Sequence, residues 1–185
     1  MQTRWKESGE GDFMLDIANK TNPGDILEVG SDVGDGSTLI LGSVAAKRNA
    51  RLYCVDTFCD MIPFSTSEWR NNRTKMILGE FIKNVSADGL FDRIRILRMS
   101  SVEAELLIGD RCVFELIFID GSHTSPYVDE DFRVWPRHVA KGGYLLAHDA
   151  STKDVVNAIN EWQNKEGDLW EYVGGVGILK AWKKK

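Results

Sequence analysis

A chain of 185 residues, 43% of them apolar, is long enough for one sizeable core and too short for two. A net charge of −5 argues against a nucleic-acid partner, which calls for a basic face. No run reaches the ~18 apolar residues of a membrane span, so no membrane partner is expected.

Met1 to Gly11 is polar, unlike a signal peptide. Cys54, Cys59 and Cys112 are an odd set without metal-ligand spacing, which suits a reducing, cytoplasmic setting. Short apolar runs then alternate with helical patterns, the signature of βαβ units and a parallel sheet. Strands are expected over 25–29, 51–55, 93–97, 115–119 and 144–147. Helices are expected over 38–48, 68–86, 101–108 and 126–140. Cys54 and Cys112 lie in or beside apolar runs and read as core thiols. The segment from Thr57 to Asn72 carries Phe58, Met61, Phe64 and Trp69 among polar residues. It reads as a lid over a ligand, or else as packing against the domain.

Ser125-Pro126 is a helix start, and Val128, Phe132, Trp135 and Val139 form one apolar stripe. Pro136 should shorten that helix, and Lys141-Gly142-Gly143 should end it and turn the chain into the next strand. His138 falls on its polar face and reads as a surface residue. A helix over 152–165 precedes strands over 169–173 and 176–182, a hairpin joined at Gly174-Gly175. Lys183-Lys184-Lys185 reads as a solvated tail.

In open α/β sheets, ligands bind beyond the carboxyl ends of the strands. The first such end reads Glu28-Val29-Gly30-Ser31-Asp32-Val33-Gly34-Asp35-Gly36-Ser37, and Asp56 ends the second strand. A carboxylate there can accept ribose hydroxyls. These features would also fit a nicotinamide enzyme, but no G-x-G-x-x-G is present. Thr21 to Ala46 holds Asp25, Glu28, Asp32 and Asp35 and no lysine or arginine. A pyrophosphate is poorly served beside so many carboxylates; a sulfonium cofactor without phosphate is well served.

Glu28-x-Gly30-x-x-x-Gly34 resembles the first motif of class I S-adenosylmethionine-dependent methyltransferases. Phe118-Ile119-Asp120-Gly121-Ser122-His123, with Tyr127, Asp131, Trp135, Gly142-Gly143 and His148-Asp149, resembles one subgroup: macrocin-type sugar O-methyltransferases and cephalosporin-hydroxylase-like proteins, similar in plan to catechol O-methyltransferase. The resemblance spans about residues 12 to 182 and implies a single domain with a Rossmann-like, doubly wound, seven-stranded α/β sheet, mostly parallel with an antiparallel C-terminal strand. It implies S-adenosylmethionine as cofactor. Glu28, Gly30 and Gly34 would hold its methionine part, with Ser31 alongside; Asp56 and Thr57 would face the ribose, and Ser100 and Ser101 the adenine. Ser37 stands one residue later than in many relatives, which leaves its part open.

Asp120, His148 and Asp149 stand where metal-dependent relatives place three oxygen ligands for magnesium. Either His148 ligates, favouring Mn²⁺ over Mg²⁺, or it points away and leaves two carboxylates. A third alternative has Asp120 binding cofactor and Asp149 only capping a helix. His123 stands where relatives place the general base, and an ordinary imidazole pKa near 6.5 suits that task. The implied function is an O-methyltransferase acting on a hydroxyl of a small molecule, a sugar or natural product, with metal assistance. The alternatives are a non-catalytic cofactor-binding module and a nicotinamide oxidoreductase. The short stretch before the first strand leaves little to cap a substrate, so the acceptor is large and open to solvent or a second subunit, as in a homo-oligomer, closes the site.

Overall fold

The computed structural model describes residues 8–59, 67–110 and 112–185, with side chains for all of these except 67–75. Seven strands form one sheet in the order β3-β2-β1-β4-β5-β7-β6. They are β1 (Ile26–Val29), β2 (Leu52–Val55), β3 (Ile94–Leu97), β4 (Phe114–Ile119), β5 (Val139–Ala147), β6 (Trp170–Val176) and β7 (Leu179–Lys184). The first five run parallel, and β7 inserts antiparallel between β5 and β6. The order reverses between β1 and β4, so a crevice opens at their carboxyl ends.

Both faces of the sheet are covered, and the alternation of side chains along each strand sorts two cores. Ile26, Leu52, Cys54, Leu116, Phe118 and Leu146 face one side. That side is packed by α1 (Glu10–Lys20), α2 (Ser37–Lys47) and α3 (Ser67–Ala87). Leu27, Val29, Val55, Ile117, Ile119 and Leu145 face the other, under α4 (Ser101–Ile108), α5 (Tyr127–Val134) and α6 (Lys153–Glu166). Trp162 stacks edge-on to Trp170 and Trp182 there, at centroid distances of 5.0 and 5.5 Å.

Several expectations are corrected. Helix α1 was hidden by its charges: only Met14, Ile17 and Ala18, at helical spacing, are apolar and buried. Helix α5 stops at Val134, because Pro136 lacks the N–H that a continuing helix needs; a 3-10 turn over Pro136–His138 follows. Strand β5 therefore starts at Val139, and Gly142-Gly143 lies inside it, at an irregularity in its pairing with β4, rather than ending a helix. A Cβ on Gly143 would stand 2.8 Å from the Glu115 carbonyl oxygen. His138 is buried, 2% exposed, with Nδ1 2.8 Å from the Cys112 carbonyl oxygen. The β6–β7 turn falls at Gly177-Ile178; Gly174-Gly175 lies within β6 at a bulge. Lys183 and Lys184 belong to β7, and Lys184 Nζ donates to the carbonyls of Pro136, Arg137 and Val139.

Of the expected lid, Phe58 packs into the core, 1% exposed and 5.2 Å from the Phe81 ring. Met61, Phe64 and the Trp69 side chain lie outside the described residues. Cys54 is buried and Cys112 half-buried, and both are reduced. Among the described residues no helix is long and apolar enough to cross a membrane.

Candidate active site

The floor of the crevice is knitted by backbone. Gly30 N–H donates to Val55 O (2.9 Å), Asp120 N–H to Val29 O (2.8 Å) and His148 N–H to Ile119 O (3.0 Å). Gly30 has φ +84°, and a Cβ there would overlap the carbonyl of Asp120. Gly34, at φ +70°, lies against Phe81, whose ring a Cβ would approach to 2.6 Å. Glycine at these two positions lets the loop after β1 lie against β4 and α3.

Glu28 is fully buried beneath this loop and accepts hydrogen bonds from Ser31 Oγ (2.9 Å), Ser37 Oγ (2.6 Å) and Thr38 Oγ1 (2.6 Å). Burial pushes its pKa up to about 7, against the pull of the three hydroxyls. Glu28, Ser31, Gly34 and Ser37 thus shape the loop from below and do not line the cavity above it.

That cavity holds about 450 Å³, within the usual range for small-ligand sites. Gly30, Asp56, Thr57, Ser100, Ser101, Asp120 and His123, all expected at the site, line it together. Asp56 Oδ2 accepts the N–H groups of Ser31 (2.8 Å) and Asp32 (2.9 Å), and Oδ1 that of Phe58 (2.5 Å). Burial raises its pKa, and these three bonds act against that rise. Ser100 caps α4 in a reciprocal capping box with Glu103. Ser101 Oγ donates to Asp131 Oδ1 (2.5 Å) and accepts from Trp135 Nε1 (3.0 Å). Burial lifts the Asp131 pKa to about 7. Asp131, one of the residues that carried the family resemblance, also lines the cavity.

At the rim, the ends of β4 and β5 bring acids and imidazoles together. Asp120, His123 and Asp149 each offer one donor atom, all within 4.8 Å of one another. His123 Nε2 lies 3.0 Å from Asp149 Oδ2 and 3.6 Å from Asp120 Oδ1. His148 is buried below, 5% exposed, with Nδ1 2.9 Å from Asp149 Oδ2 and 3.1 Å from Asp120 Oδ1. Ionised carboxylates only accept, so Nδ1 is the donor and is engaged with both acids. The hydrogen bond that His123 donates to Asp120 raises the His123 pKa, burial opposes it, and the charges of Asp149 and Asp120 add to the rise. Burial alone would lower His148, but Asp120 and Asp149 prevail and take it to about 9. Burial would raise Asp120; the two imidazoles outweigh it and hold that acid below its usual value. His123 in this state holds a proton more tightly than an ordinary imidazole, unlike the expected base with a pKa near 6.5.

One residue escaped the sequence reading. Glu10, at the start of α1, is 4% exposed and places Oε2 3.5 Å from His148 Nε2. Its Oε1 accepts the N–H of Ile178 in the β6–β7 turn (2.9 Å). A buried acid at the head of a helix carries no sequence signal, since acids are common there for capping and dipole reasons.

A switch-point cavity beside an acidic rim, under a sheet ending in an antiparallel hairpin, defines the class I methyltransferase fold. A family model described as a methyltransferase domain matches residues 27–150, and the chain belongs to that family of methyltransferase domains. Among solved structures, the O-methyltransferase NovP superposes with a TM-score of 0.75 at 15% identity, covering 95% of this chain and 79% of its own. The O-methyltransferase TomG from Streptomyces achromogenes, in complex with S-adenosylmethionine, gives 0.67 at 11% identity, with coverage of 95% and 79%. A putative rRNA-methylase from Clostridium thermocellum gives 0.65 at 12% identity, covering 100% of this chain and 99% of its own.

Proposed function

We propose that this methyltransferase moves a methyl group from S-adenosylmethionine to a hydroxyl of a small molecule, with a divalent cation held at the rim. The observation that carries the reading is the meeting of Asp120, His123 and Asp149 at the edge of the cavity walled by Gly30, Asp56 and Ser101. When bound, the cofactor supplies an electrophilic methyl group on sulfur, and the cation acidifies and positions the acceptor hydroxyl.

The residues fit both groups. Asp32 and Asp56 line the cavity with acid, suiting a cationic, phosphate-free ligand better than a dinucleotide. Asp56 Oδ1 accepts one hydrogen bond, from Phe58, and keeps capacity for a ribose hydroxyl. Asp120 and Asp149 supply hard oxygens suited to Mg²⁺ or Mn²⁺. His148, its Nδ1 engaged with both acids, orients them. His123, half-exposed on the cavity wall, removes the hydroxyl proton. It serves as a base only when the charges of Asp120 and Asp149 are offset, because those charges otherwise favour its protonated form.

A second acceptor class, RNA, is favoured by one finding, the end-to-end overlap with the putative rRNA-methylase. The net charge of −5 weighs against it. Calorimetry with S-adenosylmethionine and NAD, followed by transfer of a labelled methyl group to glycosides, catechols and an rRNA fragment, tests the reading. Binding of the sulfonium cofactor and transfer to a glycoside or catechol are expected. Binding of NAD alone, or transfer only to RNA, would overturn it.

A further inference from the structure

Glu10 lies outside every motif of the fold, yet its carboxylate is buried against the underside of the acidic rim. Ser8, two residues before it, and Ile178 and His148, far along the chain, surround it there. Ser8 Oγ donates to Oε2 (2.9 Å) from the start of α1, and the Ile178 N–H donates to Oε1 (2.9 Å) from the β6–β7 turn. Gly177, at φ +58°, leaves room for it: a Cβ there would stand 2.5 Å from Oε1. On its remaining side, Oε2 meets His148 Nε2 at 3.5 Å. The opposite nitrogen of that ring reaches Asp120 and Asp149 at 3.1 and 2.9 Å. The edge of Phe118 packs beside the ring, at a centroid distance of 6.5 Å.

We propose that Glu10 is a positioning residue of the active site: it anchors the far nitrogen of His148, so that the near one holds the Asp120 and Asp149 carboxylates together. The proposal rests on the reading of those two acids as cation ligands. It adds the outer half of the arrangement, in which an imidazole is oriented by a carboxylate behind it. Without Glu10 the ring can rotate, and the two carboxylates lose their common donor. A structural role alone would end at Ile178 and the hairpin turn, and would leave the imidazole indifferent to the acid.

The test uses the full chain labelled with ¹⁵N-histidine, as wild type and as Glu10→Gln and Glu10→Asp. Two quantities are read: the ring-nitrogen shifts of His148, and the dissociation constant for Mn²⁺ alone. In folded Glu10→Gln the His148 shifts move and Mn²⁺ binds roughly 10- to 100-fold more weakly, the usual cost of losing an outer-shell partner. Glu10→Asp, which keeps the charge and shortens the reach, falls between. Unchanged shifts with Mn²⁺ affinity within twofold in either folded variant overturn the proposal, whatever the loss of melting temperature. Should the wild type bind no Mn²⁺, the cation reading fails while the ring shifts still decide the role of Glu10.

Discussion

His123 Nε2 sits between two carboxylates on an exposed shoulder of the cavity, and that position sets its chemistry. His123→Ala should lower kcat by ~10²–10⁴-fold, the usual contribution of a general base, and leave cofactor affinity nearly unchanged in calorimetry. Full activity in the mutant would remove it from the mechanism. His148 gives a pH prediction for the metal-free protein. Its folded pKa of about 9 lies above the unfolded value of about 6.5. The stability it brings is therefore complete below pH ~6.5 and is lost as pH rises toward 9. The loss is on the order of 3 kcal/mol, a drop of about 6–12 °C in melting temperature. His148→Gln should melt lower than wild type at pH 6.5, with the gap closing by pH 9.5; a constant gap would refute the linkage. At this scale the sequence was informative about identity and poor about direction. Asp120 and Asp149 were expected to converge from neighbouring strand ends and His123 from the family resemblance, and the three do lie together. That Glu28 and Ser37 bond each other under the loop (2.6 Å) was not legible, because which face a side chain takes depends on the packing above it.

At the scale of elements, the turn after β1 is the tightest constraint. Gly30→Ala places a methyl group on the Asp120 carbonyl and strains a positive φ, so it should cost more than ~3 kcal/mol and abolish cofactor binding; a stable, binding-competent Gly30→Ala would show that the loop can part from β4. Glu28→Gln should cost little, because burial has already brought the neutral acid within reach at about pH 7. Glu28→Ala leaves three buried hydroxyls to find new partners, at ~1–3 kcal/mol each. Chemical denaturation of both variants separates the cases. Strands β1, β2 and β4 were readable because each is a short apolar run ending in glycine or acid. Helix α1 was not, since its buried stripe of Met14, Ile17 and Ala18 is narrow and set among charges. The start of β5 was misread because two glycines after a helix pattern look the same in sequence whether they stop a helix or kink a strand.

For the whole molecule, the rim predicts a response to ions. Mn²⁺ or Mg²⁺ should raise the melting temperature, with ~2.7 kcal/mol gained at a hundredfold excess over the dissociation constant. Asp149→Asn should abolish the gain. Asp149 sits at φ +50°, a conformation asparagine tolerates, so this substitution removes charge without adding strain. Thermal shifts blind to both ions in the wild type would leave the rim as an ion-pair cluster and no more.

The hydrogen bond from Ile178 to Glu10 bridges 168 positions, and β6 joins the sheet only through β7. During translation the cavity can form once the chain through α5 has left the ribosome, while the support beneath the rim waits for the hairpin. A nascent chain should therefore gain affinity for the cofactor first and the proposed cation binding at the rim last.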